Sequence, residues 1–279
     1  MEWRIYTTSY WPDRNDPALS KSLSTCTWCY NVSMKIAVCL YGMPRNITET
    51  HENYKSLFCD FDVFAHFWSS TIPPELQNFN VKSFLVEDKS EYDTRAHAFV
   101  GVIAPDDFQE MRKIRSESGL EGFDRRWQIP GWESWPANTT SMWHSMTKSI
   151  SLALAHECQT GEKYDRFVLL RTDLKFKQDF KIESTFVGDI HKFLMPSYHP
   201  GSRIDEWISD QIISLSSIAA RKMTTLLQSS YHYYFAANVP EIPEIMLGFH
   251  MIQSGMKIGV SGMHYRDDYL YLKDDGIGI

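Results

Sequence analysis

The stretch Tyr164-Asp-Arg-Phe-Val-Leu-Leu-Arg-Thr-Asp-Leu-Lys-Phe176 decides the fold. An apolar run, Phe167 to Leu170, stops at Arg171-Thr172-Asp173 and resumes at Leu174 and Phe176. A short run of Phe, Val and Leu predicts a buried strand. Ionised side chains are seldom buried without a partner. An Arg and an Asp at the carboxyl end of a core strand therefore point to a site, because ligands of open α/β sheets bind at that edge.

Upstream of this strand, helix and strand signals alternate. Lys35–Tyr41 predicts a first strand and Gly42-Met-Pro-Arg45 a tight turn. Asn46-Ile-Thr-Glu49 has capping-box spacing, with Asn where Ser or Thr is usual. Ile47, Tyr54, Leu57 and Phe58 then share one helical face. Phe61–Phe67 and Val81–Val86 read as further strands, and Pro105–Arg115 as a helix with Asp106 and Asp107 favourable to its dipole. Residues 119–137, rich in Gly, Pro and Trp, predict a structured loop, and Ser141–Cys158 a helix whose apolar stripe is Met142, Met146, Ile150, Ala153 and Leu154.

Downstream, Phe193–Met195, Asp210–Leu215 and Lys257–Val260 are strand candidates, and Ser217–Leu227 and Pro243–Gln253 are helices. This alternation predicts one α/β domain with a mostly parallel central sheet flanked by helices. Residues 1–33 lack periodicity and carry Pro12, Pro17 and many Ser and Thr. They read as a weakly ordered leader before a domain over 34–279, which opens with Met34-Lys-Ile-Ala-Val-Cys-Leu-Tyr41.

A net charge of −7 argues against a broad nucleic-acid surface, while leaving room for a local basic pocket. No apolar run approaches the roughly 20 residues of a membrane span. The start, Met-Glu-Trp-Arg-Ile-Tyr, lacks signal-peptide layout. With no such signal, the N-x-Ser/Thr triplets at Asn31, Asn46 and Asn138 read as chance. The odd count of five cysteines suggests reduced thiols in a cytoplasmic setting. Cys26-Thr-Trp-Cys29 invites a zinc or redox role, but no second pair follows at ligand spacing, which favours unpaired thiols.

Several residues have the chemistry of a site. A glycine turn entering a helix, as at Gly42, offers backbone N–H groups and a positive dipole end, and Arg45 adds a bidentate phosphate donor. The alternative is an ordinary βα turn with a surface Arg. Asp173 is the metal candidate, since hard oxygen ligands suit Mg²⁺ or Mn²⁺. Arg171-Thr-Asp173 has the spacing of the Asp-x-Asp motif by which nucleotide-sugar transferases hold a cation, with Arg171 at its first acidic position; Arg171 either neutralises phosphate charge or pairs structurally with Asp173. Asp210 and Glu244 are candidate general bases for a hydroxyl, although Glu244 in a first helical turn also suits the helix dipole. Lys148 lies on the helix beside this edge, and His264 is a further candidate ligand. Trp127, Trp132 and Trp135 offer flat faces on which sugars stack or which pack into the core.

Four blocks in order carry a resemblance: Met34-Lys-Ile-Ala-Val-Cys-Leu-Tyr-Gly-Met-Pro-Arg-Asn46; Asp62-Val-Phe-Ala-His-Phe-Trp68; Ser141-Met-Trp-His-Ser-Met-Thr-Lys148 leading to the Arg171-Thr-Asp173 strand; and Asp210-Gln211 with Pro243-Glu244. Over roughly residues 34–265 the chain resembles a family of small glycosyltransferases of marine phages, giant viruses and bacterial polysaccharide clusters. The resemblance implies a Rossmann-like, GT-A-type domain that transfers sugar from a nucleoside-diphosphate sugar to a glycan hydroxyl. Gly42, Arg45, Lys148, Arg171 and Asp173 would then hold the donor, with Mn²⁺ or Mg²⁺ at Asp173, and Asp210 or Glu244 would take the acceptor proton. The full Asp-x-Asp motif is missing, so metal dependence stays open. The alternatives are a sulfotransferase-like enzyme and a non-catalytic glycan-binding relative.

Overall fold

The computed structural model describes residues 34–92, 135–192, 208–235, 243–261 and 269–271. Its frame is a sheet of seven strands: β1 (Ile36–Gly42), β2 (Asp62–Trp68), β3 (Val81–Glu87), β4 (Arg166–Arg171), β6 (Ile190–Lys192), β7 (Ile212–Ser216) and β8 (Ile258–Val260). Two more strands, β5 (Leu174–Phe176) and β9 (Tyr269–Tyr271), pair antiparallel in a small second sheet. The order in the main sheet is β3-β2-β1-β4-β7-β6-β8. From β3 to β4 every pairing is parallel. β7 then runs antiparallel to both β4 and β6, and β8 is parallel to β6.

The inner strands β1 and β4 are built on continuous apolar runs, Ile36–Tyr41 and Phe167–Leu170, because both faces are covered. In β1, Ala37, Cys39 and Tyr41 face one cluster, while Ile36, Val38 and Leu40 face the other. The first cluster packs under α2 (Trp135–Thr160), α3 (Ser217–Met223), α4 (Leu226–Phe235) and α5 (Pro243–Gln253). The second packs under α1 (Ile47–Phe58), through Ile47, Tyr54 and Phe58. Trp143, Met146, Ile150 and Ala153 line the buried stripe of α2. These positions follow the three-to-four-residue helical period. β1 lies at the centre of the parallel run, so its carboxyl end opens between the two helical layers.

The expected α/β fold with a mostly parallel sheet is present, and the strand at 166–171 stands in its middle. Local expectations differ in several places. Asn46 does precede α1, but at φ 54° it is left-handed and its side chain makes no cap bond. Its carbonyl accepts the N–H groups of Glu49 and Thr50 instead, and Asn tolerates this conformation better than most residues. The helix expected over 217–227 breaks into α3 and α4. Thr224 and Thr225 turn their hydroxyls back onto the carbonyls of Arg221 and Lys222, at 2.7 and 2.8 Å. Such bonds compete with helical hydrogen bonding. The α2 helix begins at Trp135, inside the stretch expected to be loop.

A strand forms at Ile190–Lys192, whereas the expected strand at 193–195 lies outside the described residues. The expected helix over 105–115, Trp127, Trp132, His264 and the 1–33 segment also lie outside them. No described helix is long and apolar enough to cross a membrane.

Candidate functional site

The stretch after β4 is pinned from three directions. Tyr54 of α1 donates its hydroxyl to the Arg171 carbonyl at 2.5 Å, and Thr50 donates to the Thr172 carbonyl at 2.8 Å. The buried Thr172 hydroxyl reaches the carbonyls of Met43 and Arg45, at 2.9 and 3.1 Å. On the far side, the Arg171 N–H donates to the Gln211 carbonyl at 3.2 Å. The apolar face of α1 and the polar groups scattered through it thus set the carboxyl ends of β1 and β4 side by side.

Over this edge lies a cleft of about 550 Å³. Its lining includes Gly42 and Arg45 from the turn after β1, Arg171 and Asp173 from the end of β4, and Asp210 and Glu244. Six of the seven residues expected to form a donor and acceptor site are therefore brought together. The reversal of β7 is what delivers Asp210. An antiparallel neighbour presents its amino end where the parallel strands present their carboxyl ends. Glu244 stands in the first turn of α5, after Pro243. Trp68, at the end of β2, and Ser141 and Met142 of α2 close the other wall.

Charge at the centre of the cleft is strongly paired. Arg171 grips Asp173 with two bonds, Nε to Oδ1 at 3.0 Å and Nη2 to Oδ2 at 2.7 Å, while its Nη1 lies 3.7 Å from Asp210 Oδ2. Burial opposes charge on Arg171, but the two carboxylates outweigh it and hold the guanidinium charged. Burial raises the Asp210 carboxyl above the ordinary carboxylate range, against the pull of Arg171. Tyr41 donates its hydroxyl to the Asp210 carbonyl and is itself held protonated by burial and by Asp210.

The turn differs from its expected role in one respect. Gly42 has φ 98°, a conformation that favours glycine, and its N–H is not turned to the cleft but donates to Ser145 Oγ of α2 at 2.7 Å. Nor do the donors suit a divalent cation held by Asp173, because both of its oxygens accept from Arg171 and the guanidinium lies between Asp173 and Asp210. Lys148, the remaining expected residue, does not line the cleft. Its charge instead acts on His66 and His144.

Those histidines belong to a second polar centre. His66 Nε2 and His144 Nε2 lie 3.0 and 2.9 Å from one oxygen, Oε2 of Glu87. His66 Nδ1 meets Ser145 Oγ at 2.8 Å. Burial lowers the His66 pKa to about 4 and lowers that of His144 as well. Burial would raise the Glu87 carboxyl, but the hydrogen bonds from both imidazoles overcome it and leave the group below its ordinary value. Sequence patterning missed this centre, as it missed Thr172 and Ser145. The only available signal was that His66 interrupts an otherwise apolar strand.

No family model matches the chain, and no curated protein matches it. Among solved structures, it is similar to a nucleoside-diphosphate-sugar pyrophosphorylase from Vibrio cholerae, with 10% identity over 85% of this chain and 94% of that one, at a TM-score of 0.40. A likeness at that level leaves function to the site itself.

Proposed function

We propose that the domain opening at Met34 is a glycosyltransferase that moves a sugar from a nucleoside-diphosphate sugar to a glycan hydroxyl. The observation that carries this reading is the gathering of Arg45, Arg171, Asp210 and Glu244 around one cleft at the carboxyl edge of the sheet. Two guanidinium groups suit a diphosphate, which they can bind with paired hydrogen bonds. Two carboxylates on the same cleft supply a base for the acceptor.

In the proposed step the acceptor hydroxyl attacks the anomeric carbon. Its oxygen forms the new C–O bond, and its proton passes to a carboxylate. The bond from the anomeric carbon to the phosphate oxygen breaks, and the nucleoside diphosphate leaves with the electron pair. Arg171 and Arg45 offset the charge that develops on it. Asp210 or Glu244 takes the proton, and burial makes the Asp210 carboxylate more basic than an ordinary one. Asp173 orients Arg171. A cation at Asp173 would have to displace that pair, so the guanidinium itself takes the part of the positive charge here.

Thermal shift with a panel of nucleotide sugars and adenosine phosphosulfate, each with and without Mn²⁺, tests the proposal. A ligand that binds only the folded state raises the melting temperature. The expected result is a shift with one nucleoside-diphosphate sugar that is lost in Arg171→Ala, followed by nucleoside-diphosphate release when an oligosaccharide acceptor is added. A shift with adenosine phosphosulfate alone would instead make the enzyme a sulfotransferase. No shift with any nucleotide would leave a glycan-binding protein.

A further inference from the structure

The second polar centre joins three elements of the described domain. His66 comes from β2, Glu87 from the end of β3 and His144 from α2, and their ligand atoms all lie within 4.8 Å of one another. We propose that these residues form a binding site for a transition cation of the zinc class, seated beside the Trp68 wall of the cleft. This proposal does not depend on the cleft being a glycosyltransferase site.

The geometry favours a cation. Metal–ligand distances of about 2.1 Å place the ligand atoms of a tetrahedral site about 3.4 Å apart, so the atoms here need to separate by only a few tenths of an ångström to admit an ion. The two nitrogen–oxygen separations are 3.0 and 2.9 Å. Both imidazoles point Nε2 at the same spot. His66 uses its other nitrogen on Ser145 Oγ, and an outer-shell bond of this kind is what fixes the orientation of metal-binding histidines. Ser145 is itself tied to the Gly42 N–H. His144 stacks on Trp68, with ring centroids 5.2 Å apart, and Tyr92 closes on both rings at 4.8 and 5.0 Å. The ligand atoms are thus held by an outer shell of aromatic rings and one hydroxyl.

Two imidazoles and one carboxylate suit zinc, cobalt or nickel and discriminate against Mg²⁺ and Ca²⁺, which prefer all-oxygen ligands. The Glu87 side chain keeps 33% of its exposure, and His144 keeps 18%, which leaves room for water as a fourth ligand. Lys148, one turn along α2 from His144, opposes the cation's charge. A site of this composition ties β2, β3 and α2 together at the wall of the cleft, where α2 contributes Ser141 and Met142.

The test is a titration of the untagged, chelator-stripped full-length protein with Zn²⁺ in competition with a chromophoric chelator, together with the visible absorption of the Co²⁺-loaded protein. The expected result is one ion per chain with a cobalt ligand-field band. Affinity is expected to fall by about 100-fold or more in His144→Asn and in Glu87→Gln, since loss of even an outer-shell partner costs roughly 10- to 100-fold. Binding should tighten in Lys148→Met and stay unchanged when Cys26 and Cys29 are both changed to Ser. Glu87→Gln preserves shape and hydrogen bonding, so it carries the test should His144→Asn misfold, with circular dichroism as the check. No stoichiometric binding, or binding that survives both ligand variants or follows the cysteines, overturns the proposal.

Discussion

Two polar centres stand near the same edge of the same sheet, and they handle charge in opposite ways. In the cleft, Arg171 is flanked by Asp173 and Asp210, so buried charge is met by opposite charge. Beside it, Glu87 is met by two histidines that burial keeps neutral. The first arrangement leaves a guanidinium on an open cleft, where an anionic ligand can use it. The second turns two imidazole Nε2 atoms and a carboxylate on one point, which suits a cation that takes the place of the Nε2 protons. Position on the fold therefore does not decide what a centre binds; the protonation state of its members does.

The largest expected effect separates the two centres by activity. Asp210→Asn should lower the rate of sugar transfer by about 10²- to 10⁴-fold, the usual contribution of a general base. Donor affinity, read by thermal shift, should stay within a few-fold. Glu87→Gln should leave transfer within about tenfold and act mainly on stability and cation affinity. Equal losses in the two variants would erase the distinction.

Stability against pH should separate the centres by sign. The His66 pKa falls from 6.5 to about 4 on folding. Between those values the unfolded chain binds the proton that the folded chain refuses, so stability drops as the pH falls through that window. The expected loss is about 3 kcal/mol for this group in metal-stripped protein. Asp210 behaves in the opposite way. Its folded carboxyl holds a proton more tightly than the unfolded one, so its contribution is present at acid pH and is lost as the pH rises above the ordinary carboxylate range. Urea denaturation across pH in His66→Asn and Asp210→Asn should flatten one limb each.

Ser145→Ala removes the partner of both Gly42 N–H and His66 Nδ1. About 2 kcal/mol of stability should be lost, because a buried donor is left unsatisfied. The smallest effect is a control at Asn46, which belongs to neither centre. Its left-handed backbone predicts a loss of about 1 kcal/mol in Asn46→Ala and almost none in Asn46→Gly. A large loss in the glycine variant would mean that the Asn46 side chain supports the turn after β1.

Much of the frame was legible in the sequence because strands buried on both faces write themselves as continuous apolar runs. Phe167–Leu170 and Ala37–Leu40 are such runs, and the charged step at Arg171 and the glycine turn at Gly42 mark the edge. The cleft residues were found for the same reason: Arg171, Asp173 and Asp210 are charges placed where apolar neighbours predict none. The antiparallel course of β7 was not readable, since periodicity is blind to strand direction. The histidine centre escaped because its members lie 21 and 57 residues apart along the chain and meet only through β2–β3 pairing and the placement of α2. Gly42 was recognised as a turn, but the use of its N–H depends on Ser145, which is 103 residues away.

Ser145 gives the molecule a property that neither centre has alone. A single hydroxyl oxygen touches the backbone of the cleft turn and the ring of a cation-facing imidazole. Whatever displaces Gly42 on ligand entry also alters the surroundings of His66. If both proposed sites bind, thermodynamic reciprocity requires that a cation at the histidines change ligand affinity in the cleft by the same factor with which the ligand changes affinity for the cation.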